Sequence, residues 1–482
     1  MSLFIKKAMD EEKKKVLNQT LGAIDLTLLG IGAIIGTGIF VLTGIVAAKH
    51  AGPAIVLSFV LAAIICACVA FCYAEFASTV PVSGSVYSYT YMTLGEIFAF
   101  IVGWCVMLEY LLATSAVAAG WSAYFQSLLL GFNIHIPTIF ASAPGMGKGG
   151  IIDLPAVLII LVVTFLLSRG AKESARMNNI MVIIKLAVIV GFIVVGTQYV
   201  RPENWQPFLP FGFHGVVGGA ATVFFAFLGF DAVATAAEEV KRPQRNVPIG
   251  LLVSLFICTV LYVGVSFVLT GMVPFTELNV ADPVAYALRT VGEDRIAGLL
   301  SVGAIAGLTT VLLVAMFAFV RVSYSMSRDG LLPKRLSSVH KRLQTPFFNT
   351  WVTGILAALL AGLVDLNLLA NLVNMGTITA FVFVSIAVIV LRKTHPNMKR
   401  PFRAPLVPFL PIVSIVSCIY LALNLSKLTL ISFVAWIIIG VFIYFVYAKK
   451  HSNVRNRNRN RNRNRNRNRN RNRNRNRNRN KV

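Results

Sequence analysis

Twelve apolar runs constrain this 482-residue chain more than any other feature. They fall at 21–48, 53–77, 95–127, 154–168, 179–200, 216–239, 249–272, 296–326, 350–364, 369–391, 406–425 and 429–448. A hydrocarbon core about 30 Å thick takes roughly 20 helical residues to cross. Most of the runs are long enough, and the fourth and ninth are marginal. Inside hydrocarbon the backbone must satisfy its own N–H and C=O groups, which makes a helix the spanning element for runs of this length. The chain is 56% hydrophobic and 13% charged, with a mean hydropathy of +0.74, too apolar for a soluble domain of this size. The reading is an all-α integral membrane protein with 12 transmembrane helices.

The formal net charge of +26, taken alone, suggests nucleic acid. However, Arg455 to Asn480 is an alternating Arg-Asn repeat whose thirteen arginines, with Lys481, carry fourteen of those charges and leave +12. Most of the remainder lies between apolar runs. With the N-terminus inside, the inner connections hold Arg169, Lys172 and Arg176, then Lys241, Arg242 and Arg245. Further on they hold Arg328, Lys334, Arg335, Lys341 and Arg342, then Arg392, Lys393, Lys399, Arg400 and Arg403. The outer connections hold only Lys49, Lys148, Arg201, Arg289, Arg295 and Lys427. This asymmetry places both termini in the cytoplasm, and no nucleic-acid partner is expected. Residues 1–20 are too polar for a cleavable signal peptide and read as a cytoplasmic tail. Residues 449–482 read as a basic low-complexity tail that cannot form a core. A grip on anionic lipid, contact with RNA, and a repeat expansion without a role are all open for it. The six cysteines lie inside apolar runs without a His or Cys partner at ligand spacing, so they read as packing residues and no metal site is expected.

Two runs are poorly written as simple helices. Gly30-Ile31-Gly32-Ala33-Ile34-Ile35-Gly36-Thr37-Gly38-Ile39-Phe40 puts four glycines at mid-depth of the first. Each glycine in a helix interior costs roughly 1 kcal/mol relative to alanine. Such a stretch serves either an unwound segment that holds a polar ligand or close packing of neighbouring helices. The sixth run carries Phe224-Phe225-Ala226-Phe227-Leu228-Gly229-Phe230-Asp231-Ala232, a glycine near an aspartate at mid-membrane. The second interruption comes five runs after the first, an odd number, so the two segments enter the membrane from opposite sides. That is the pattern of an inverted repeat with a site at its centre. The seventh run, which a 6+6 arrangement would pair with the first, shows no comparable break.

The Gly30-to-Phe40 run resembles the first-helix signature of the amino acid–polyamine–organocation superfamily. Gly229-Phe230-Asp231 through Ala237-Glu238-Glu239-Val240-Lys241-Arg242-Pro243-Gln244-Arg245-Asn246-Val247-Pro248 is similar to that superfamily's sixth helix and following loop. Tyr73-Ala74-Glu75 with Pro81-Val82-Ser83-Gly84-Ser85, and Met326-Ser327-Arg328-Asp329-Gly330, match in order and spacing. The resemblance covers roughly residues 20 to 450 and is strongest to the cationic amino acid transporter-like branch of bacterial permeases. It implies a LeuT-type 5+5 inverted repeat with broken helices 1 and 6. The first repeat is then 21–200, the second 215–392, and helices 11 and 12 occupy 406–448. It also implies a secondary transporter of the plasma membrane that imports amino acids, not an enzyme. A small single-span accessory subunit is a further partner compatible with it.

A zwitterionic amino acid needs donors for its carboxylate and acceptors for its ammonium, and a broken helix offers both. The carboxylate is assigned to backbone N–H groups around Gly36, Thr37 and Gly38, assisted by the Thr37 hydroxyl. The ammonium is assigned to carbonyls near Ala33 and Ile34 and, across the site, near Phe225 and Ala226, with Gly229 forming the second break. Phe225, Phe227 and Phe230 read as packing from their residue type alone; the family pattern singles out Phe225 as the gate. Lys185, two turns into the fifth run, is either a snorkelling lysine or a cation touching the broken first helix. The resemblance implies the second, with its ammonium where sodium sits in sodium-coupled relatives. This argues for a proton as coupling ion, against sodium, and for no cofactor. Asp231 ranks after Lys185 for coupling. Glu109 is equally a proton site, a partner for a basic group, or a protonated structural acid. Asp25, Glu75, Glu96, Glu238 and Glu239 read as inner-surface or gate contacts. Thr309 to Phe319, in the eighth run, is mostly small and apolar, which favours small neutral substrates such as alanine, with cationic ones still open. An exchanger, a polyamine carrier and a non-transporting sensor are the alternatives.

Overall fold

The computed structural model describes residues 5–7, 21–80, 85–144, 149–170, 175–237, 240–343, 345–457 and 459. Among them the regular elements are all helices, and extended pairing is limited to isolated bridges such as Leu21 with Val240. Among the described residues, eight stretches are able by length and composition to cross a membrane, and four shorter apolar helices accompany them.

The first of the short helices is α1 (Ala23–Ile34), capped at its start by Asp25, whose carboxylate accepts from the Gly22 N–H at 2.9 Å. After an interruption the path resumes as a wide turn over Gly38–Leu42 and continues through Thr43–Val46 to Ala51. Gly52 (φ +62°) and Pro53 then reverse the chain into α2 (Ile55–Thr79). Next come α3 (Ser85–Thr93), α4 (Glu96–Leu130), α5 (Leu154–Ser168) and α6 (Ala175–Gly196). The next broken element is α7 (Gly212–Val223), a tight turn over Phe224–Phe227, and the short α8 (Ala232–Thr235).

Beyond it, α9 (Pro243–Met272) runs unbroken for 30 residues, with Pro248 within its first two turns. The remainder is α10 (Pro283–Thr290), α11 (Asp294–Arg328), α12 (Phe347–Leu363), α13 (Leu366–Thr394), α14 (Phe409–Leu423) and α15 (Lys427–Ile443). Backbone breaks of the α1 and α7–α8 kind leave N–H and C=O groups that only protein can satisfy at membrane depth. Both are accordingly enclosed: α2, α4, α9, α11 and α13 pack around them, and Gly30 to Val46 are all buried.

The cysteines are all free, five buried and Cys68 half-buried. Glu238, Glu239, most of the 1–20 tail and nearly all of the Arg-Asn repeat lie outside the described residues.

Candidate functional site

The two interruptions meet. At the end of α1, Ile35 turns extended (ψ 100°), and at the other break Leu228 does the same (ψ 140°) before Gly229 at φ +102°. An added Cβ on Gly38 would lie 2.4 Å from Cα of Ala226, and one on Gly229 would lie 2.8 Å from the Ala33 carbonyl oxygen. Each broken backbone therefore presses a glycine against the other. At Gly229 both the positive φ and the close approach exclude a side chain.

Two side chains complete the junction. The Tyr262 hydroxyl of α9 lies 2.9 Å from the Ile34 carbonyl and 2.7 Å from the Ala226 carbonyl, one on each broken element. It has a single proton to donate, so the two acceptors share it. Lys185 of α6 is fully buried and donates to the carbonyls of Gly32 (3.0 Å) and Ile35 (3.3 Å). Those carbonyls belong to the C-terminal turn of α1, the negative end of its dipole, where a cation is favoured. The lysine stem reaches them along Gly307 of α11, where an added Cβ would lie 2.8 Å from Cε.

Beside the junction is a cavity of 40 Å³. Its polar rim is the first break, Ala33, Ile34, Gly36, Thr37 and Gly38. Phe225, Leu228, Gly229 and Ala232 of the second break face it. Tyr110, Ala113 and Val117 of α4 and Val311, Val314, Ala315 and Ala318 of α11 close the rest, so among the described residues no charged side chain lines it. The Thr37 hydroxyl is buried without a hydrogen-bond partner among the described residues, an arrangement that costs on the order of 1–3 kcal/mol. A fully dry cavity able to take benzene is about 150 Å³, so an amino acid fits here only if the walls move apart.

Among the residues expected at the site, Ala33, Ile34, Gly36, Thr37, Gly38, Phe225 and Gly229 come together in this lining. Ala226 does not line the cavity: its Cα and Cβ are pressed on Gly38, and its carbonyl faces Tyr262. Of the three phenylalanines only Phe225 lines the cavity, while Phe227 packs on Phe59 and Tyr262, and Phe230 on Tyr73 and Phe381. Asp231 sits just outside, at the start of α8, with the Tyr110 hydroxyl 3.3 Å away. Glu109 points away from the cavity towards α13, where its Cβ would meet a side chain at Gly376 at 2.9 Å. Lys185 lies behind α1.

The other acids fall into distinct sites. Glu75 makes a bidentate pair with Arg392 (2.9 and 2.6 Å) and accepts from the Ala404 N–H at 2.8 Å. Asp25 holds Asn179 at 3.0 Å, tying α1 to α6. Glu96 lies at the start of α4 in a buried cluster.

Tyr262, Tyr110 and Gly307 were not expected at the site. A signal for Tyr262 was present: Gly250, Ser254, Cys258, Tyr262, Ser266 and Thr270 recur every fourth residue along α9, and all are buried. A small and polar stripe on an apolar helix marks the face turned to other helices. The corresponding stripe on α11 is Gly303, Gly307, Val311 and Ala315, of which Gly303 receives Val188, Gly307 receives Lys185, and the last two line the cavity.

Comparison with known proteins agrees with this architecture. Residues 21–458 match the amino acid permease family. The chain is 58% identical over 455 residues to the methylthioribose transporter of Bacillus subtilis (strain 168), covering 94% of this chain and 99% of that protein. It is 52% identical over 461 residues to the branched-chain amino acid permease BcaP of the same organism, again covering 94% and 99%. Identity to the vacuolar cationic amino acid transporter 4 of Arabidopsis thaliana is 39% over 387 residues, 79% of this chain and 64% of that one. With a match that spans the broken helices, the cavity and the ends of the bundle, the chain belongs to the amino acid permease family, within the amino acid–polyamine–organocation superfamily.

Proposed function

We propose that this permease is a secondary active importer of small neutral amino acids across the plasma membrane, coupled to protons and working by alternating access. The observation that carries the reading is the junction of two broken helices around an apolar cavity whose one unpartnered polar side-chain group is the Thr37 hydroxyl. Backbone N–H groups from Gly36 to Gly38 receive the substrate carboxylate. The carbonyls of Ala33 and Phe225 receive its ammonium, together with that of Ile34, whose second lone pair is left by Tyr262. Ala113, Val117, Val311, Val314 and Ala315 accept a small apolar side chain, and Phe225 closes over it.

In this reading Lys185 is the coupling group. Protonated, it clamps the end of α1 through Gly32 and Ile35; on losing its proton it releases that clamp and favours the opposite-facing state. Asp231 and Glu109 are second in line. Twelve spans are arranged as two inverted five-helix repeats, 21–200 and 215–392, followed by the pair in 406–448. Both termini are cytoplasmic. The unbroken α9 supports this 5+5 division over a 6+6 one.

A second reading has its own support. The 58% identity to a methylthioribose transporter makes an uncharged sugar with an apolar methylthio group a candidate, its sulfur end against the α11 wall. Such a ligand would leave the carboxylate-binding N–H groups to hydroxyls.

The deciding experiment is uptake of radiolabelled alanine into proteoliposomes, with and without an inward proton gradient, by the intact protein and Lys185→Ala. Valine, leucine, arginine and methylthioribose serve as unlabelled competitors. Gradient-driven accumulation abolished by Lys185→Ala supports the proposal. Accumulation that survives moves coupling to Asp231 or Glu109. No accumulation of alanine, with uptake of labelled methylthioribose under the same gradient, replaces the amino acid with the sugar.

A further inference from the structure

The two ends of the chain converge on one side of the molecule, and the contact between them is buried. Glu96 is fully buried, and its carboxylate accepts from the hydroxyls of Tyr91 (3.1 Å), Tyr444 (3.0 Å) and Ser452 and from Nη2 of Arg455 (3.1 Å). Arg455 is itself only 7% exposed. An ion pair this desolvated differs from a solvated surface pair, because loss of one partner strands the other charge in protein.

The same corner holds the N-terminal segment. The Glu96 N–H donates to the Ile5 carbonyl (3.0 Å), and the Lys7 N–H donates to the Tyr91 carbonyl (3.3 Å). The Lys7 ammonium lies 3.2 and 3.1 Å from the two carboxylate oxygens of Asp329, at the end of α11. Asn453, two residues before Arg455, donates its N–H to the Asp329 carbonyl at 2.9 Å. One continuous path, Arg455–Glu96–Tyr91–Lys7–Asp329, thus joins the C-terminal segment, the start of α4, the N-terminal segment and the end of α11. Arg455 lies inside the stretch that matches the permease family, which runs to residue 458, whereas most of the Arg-Asn repeat lies beyond it.

We propose that Ser452–Arg455 is an autoinhibitory latch: Arg455 on Glu96 holds the N-terminal segment against Asp329, and this end of the molecule opens only when the arginine leaves. The opening step rests on the transport reading above; the contact itself does not. The repeat gives the latch a spare, since a slip of two residues brings Arg457 to the place of Arg455. A single substitution therefore understates the effect.

The test uses the full chain in lipid nanodiscs and proteoliposomes, comparing the unsubstituted protein with Arg455→Ala, Arg455→Ala/Arg457→Ala and Glu96→Gln. Hydrogen exchange is followed at residues 5–7 and at Glu96, with initial uptake rate measured in parallel. In the double variant and in Glu96→Gln, exchange at Lys7 and Glu96 is expected to rise at least tenfold while the middle of α13 keeps its protection. Initial uptake is expected to rise at least threefold. Unchanged exchange at Lys7 and Glu96 overturns the latch. So does loss of protection throughout the chain, which would make Arg455 a general staple of the fold. Faster exchange with unchanged or slower uptake overturns the autoinhibitory role. If the unsubstituted protein takes up none of the tested substrates, the transport reading fails, and exchange alone decides whether Arg455 holds the N-terminal segment.

Discussion

Tyr262→Phe removes one oxygen and leaves the ring in place, so its effect isolates the bridge between the two broken helices. The hydroxyl lies within 2.9 Å of one carbonyl and 2.7 Å of the other, and its single proton serves both. Without it, neither buried carbonyl receives that donor, a loss of about 1–3 kcal/mol for an acceptor left unsatisfied. The cost falls only on conformations in which the breaks stand this close, because the bridge exists only there. A free-energy change of that size shifts a two-state equilibrium about 5- to 150-fold. If substrate binds where the breaks meet, its apparent affinity weakens by a similar factor, while the ring's contacts with Phe59 and Phe227 preserve packing. Substrate-dependent thermal stabilisation of purified protein reads the affinity, and KM for uptake reads it independently. The reasoning is refuted if Tyr262→Phe matches the unsubstituted protein in both, since the bridge would then be worth less than about 0.5 kcal/mol, under half the usual net value of a hydrogen bond.

Further substitutions test the first break and the start of α5. Gly38→Ala drives a methyl into the Ala226 backbone at 2.4 Å and should lower the thermal midpoint and abolish uptake, at a cost of about 1–3 kcal/mol for overpacking; Gly298→Ala, with nothing within 4 Å, is the control and should be neutral or slightly stabilising. Thr37→Val removes the unpartnered hydroxyl, so the substrate-free protein should be no less stable by thermal shift, while substrate affinity falls about tenfold, the worth of roughly one hydrogen bond. Asp153, capping α5 just outside its apolar run, has its carboxyl pushed up to about 7 by burial, against the opposing pull of Ser122 and the Ala156 N–H. The folded protein therefore holds this proton more tightly than the unfolded chain, and stability should fall as pH rises from the ordinary carboxylate range to about 7, then level off. A series of thermal midpoints from pH 4 to 8 should lose that slope in Asp153→Asn.

The apolar runs and the two interruptions were readable because they depend on local chemistry: hydrocarbon demands helices, and clustered glycines weaken them. The lysine at position 185 was equally conspicuous, being a charge in the middle of an apolar run. Tyr262 was not, since a tyrosine on an apolar helix is ordinary, and only the arrangement of α9 against both breaks turns its hydroxyl into a bridge. The position of Glu109 shows the opposite case. Its charge stands out in an apolar run, yet the rotation of α4 presents Tyr110, Ala113 and Val117 to the cavity and turns the acid towards α13. Helical phase over several turns, combined with packing, decides which neighbour faces the site, and neither is written in a single residue. The Glu96–Arg455 pair was hidden for a further reason: its partners are 359 positions apart in the chain, and the arginine opens what looks like featureless repeat.

Gly307 gives the Lys185 stem the space that a Cβ would take, with Cε, Cγ and Cδ 2.8, 2.9 and 3.2 Å from where that Cβ would sit. The ammonium can reach Gly32 and Ile35 because the stem lies where another residue would carry its Cβ. The side chain is consequently measured for length and thickness as well as charge. Arginine would bring the same charge on a broader, flat head that has to pass the same notch, and a shorter amine would stop before the carbonyls. Lys185, which belongs to neither helix, thus touches both: its ammonium holds the end of α1 and its stem lies on Gly307 of α11.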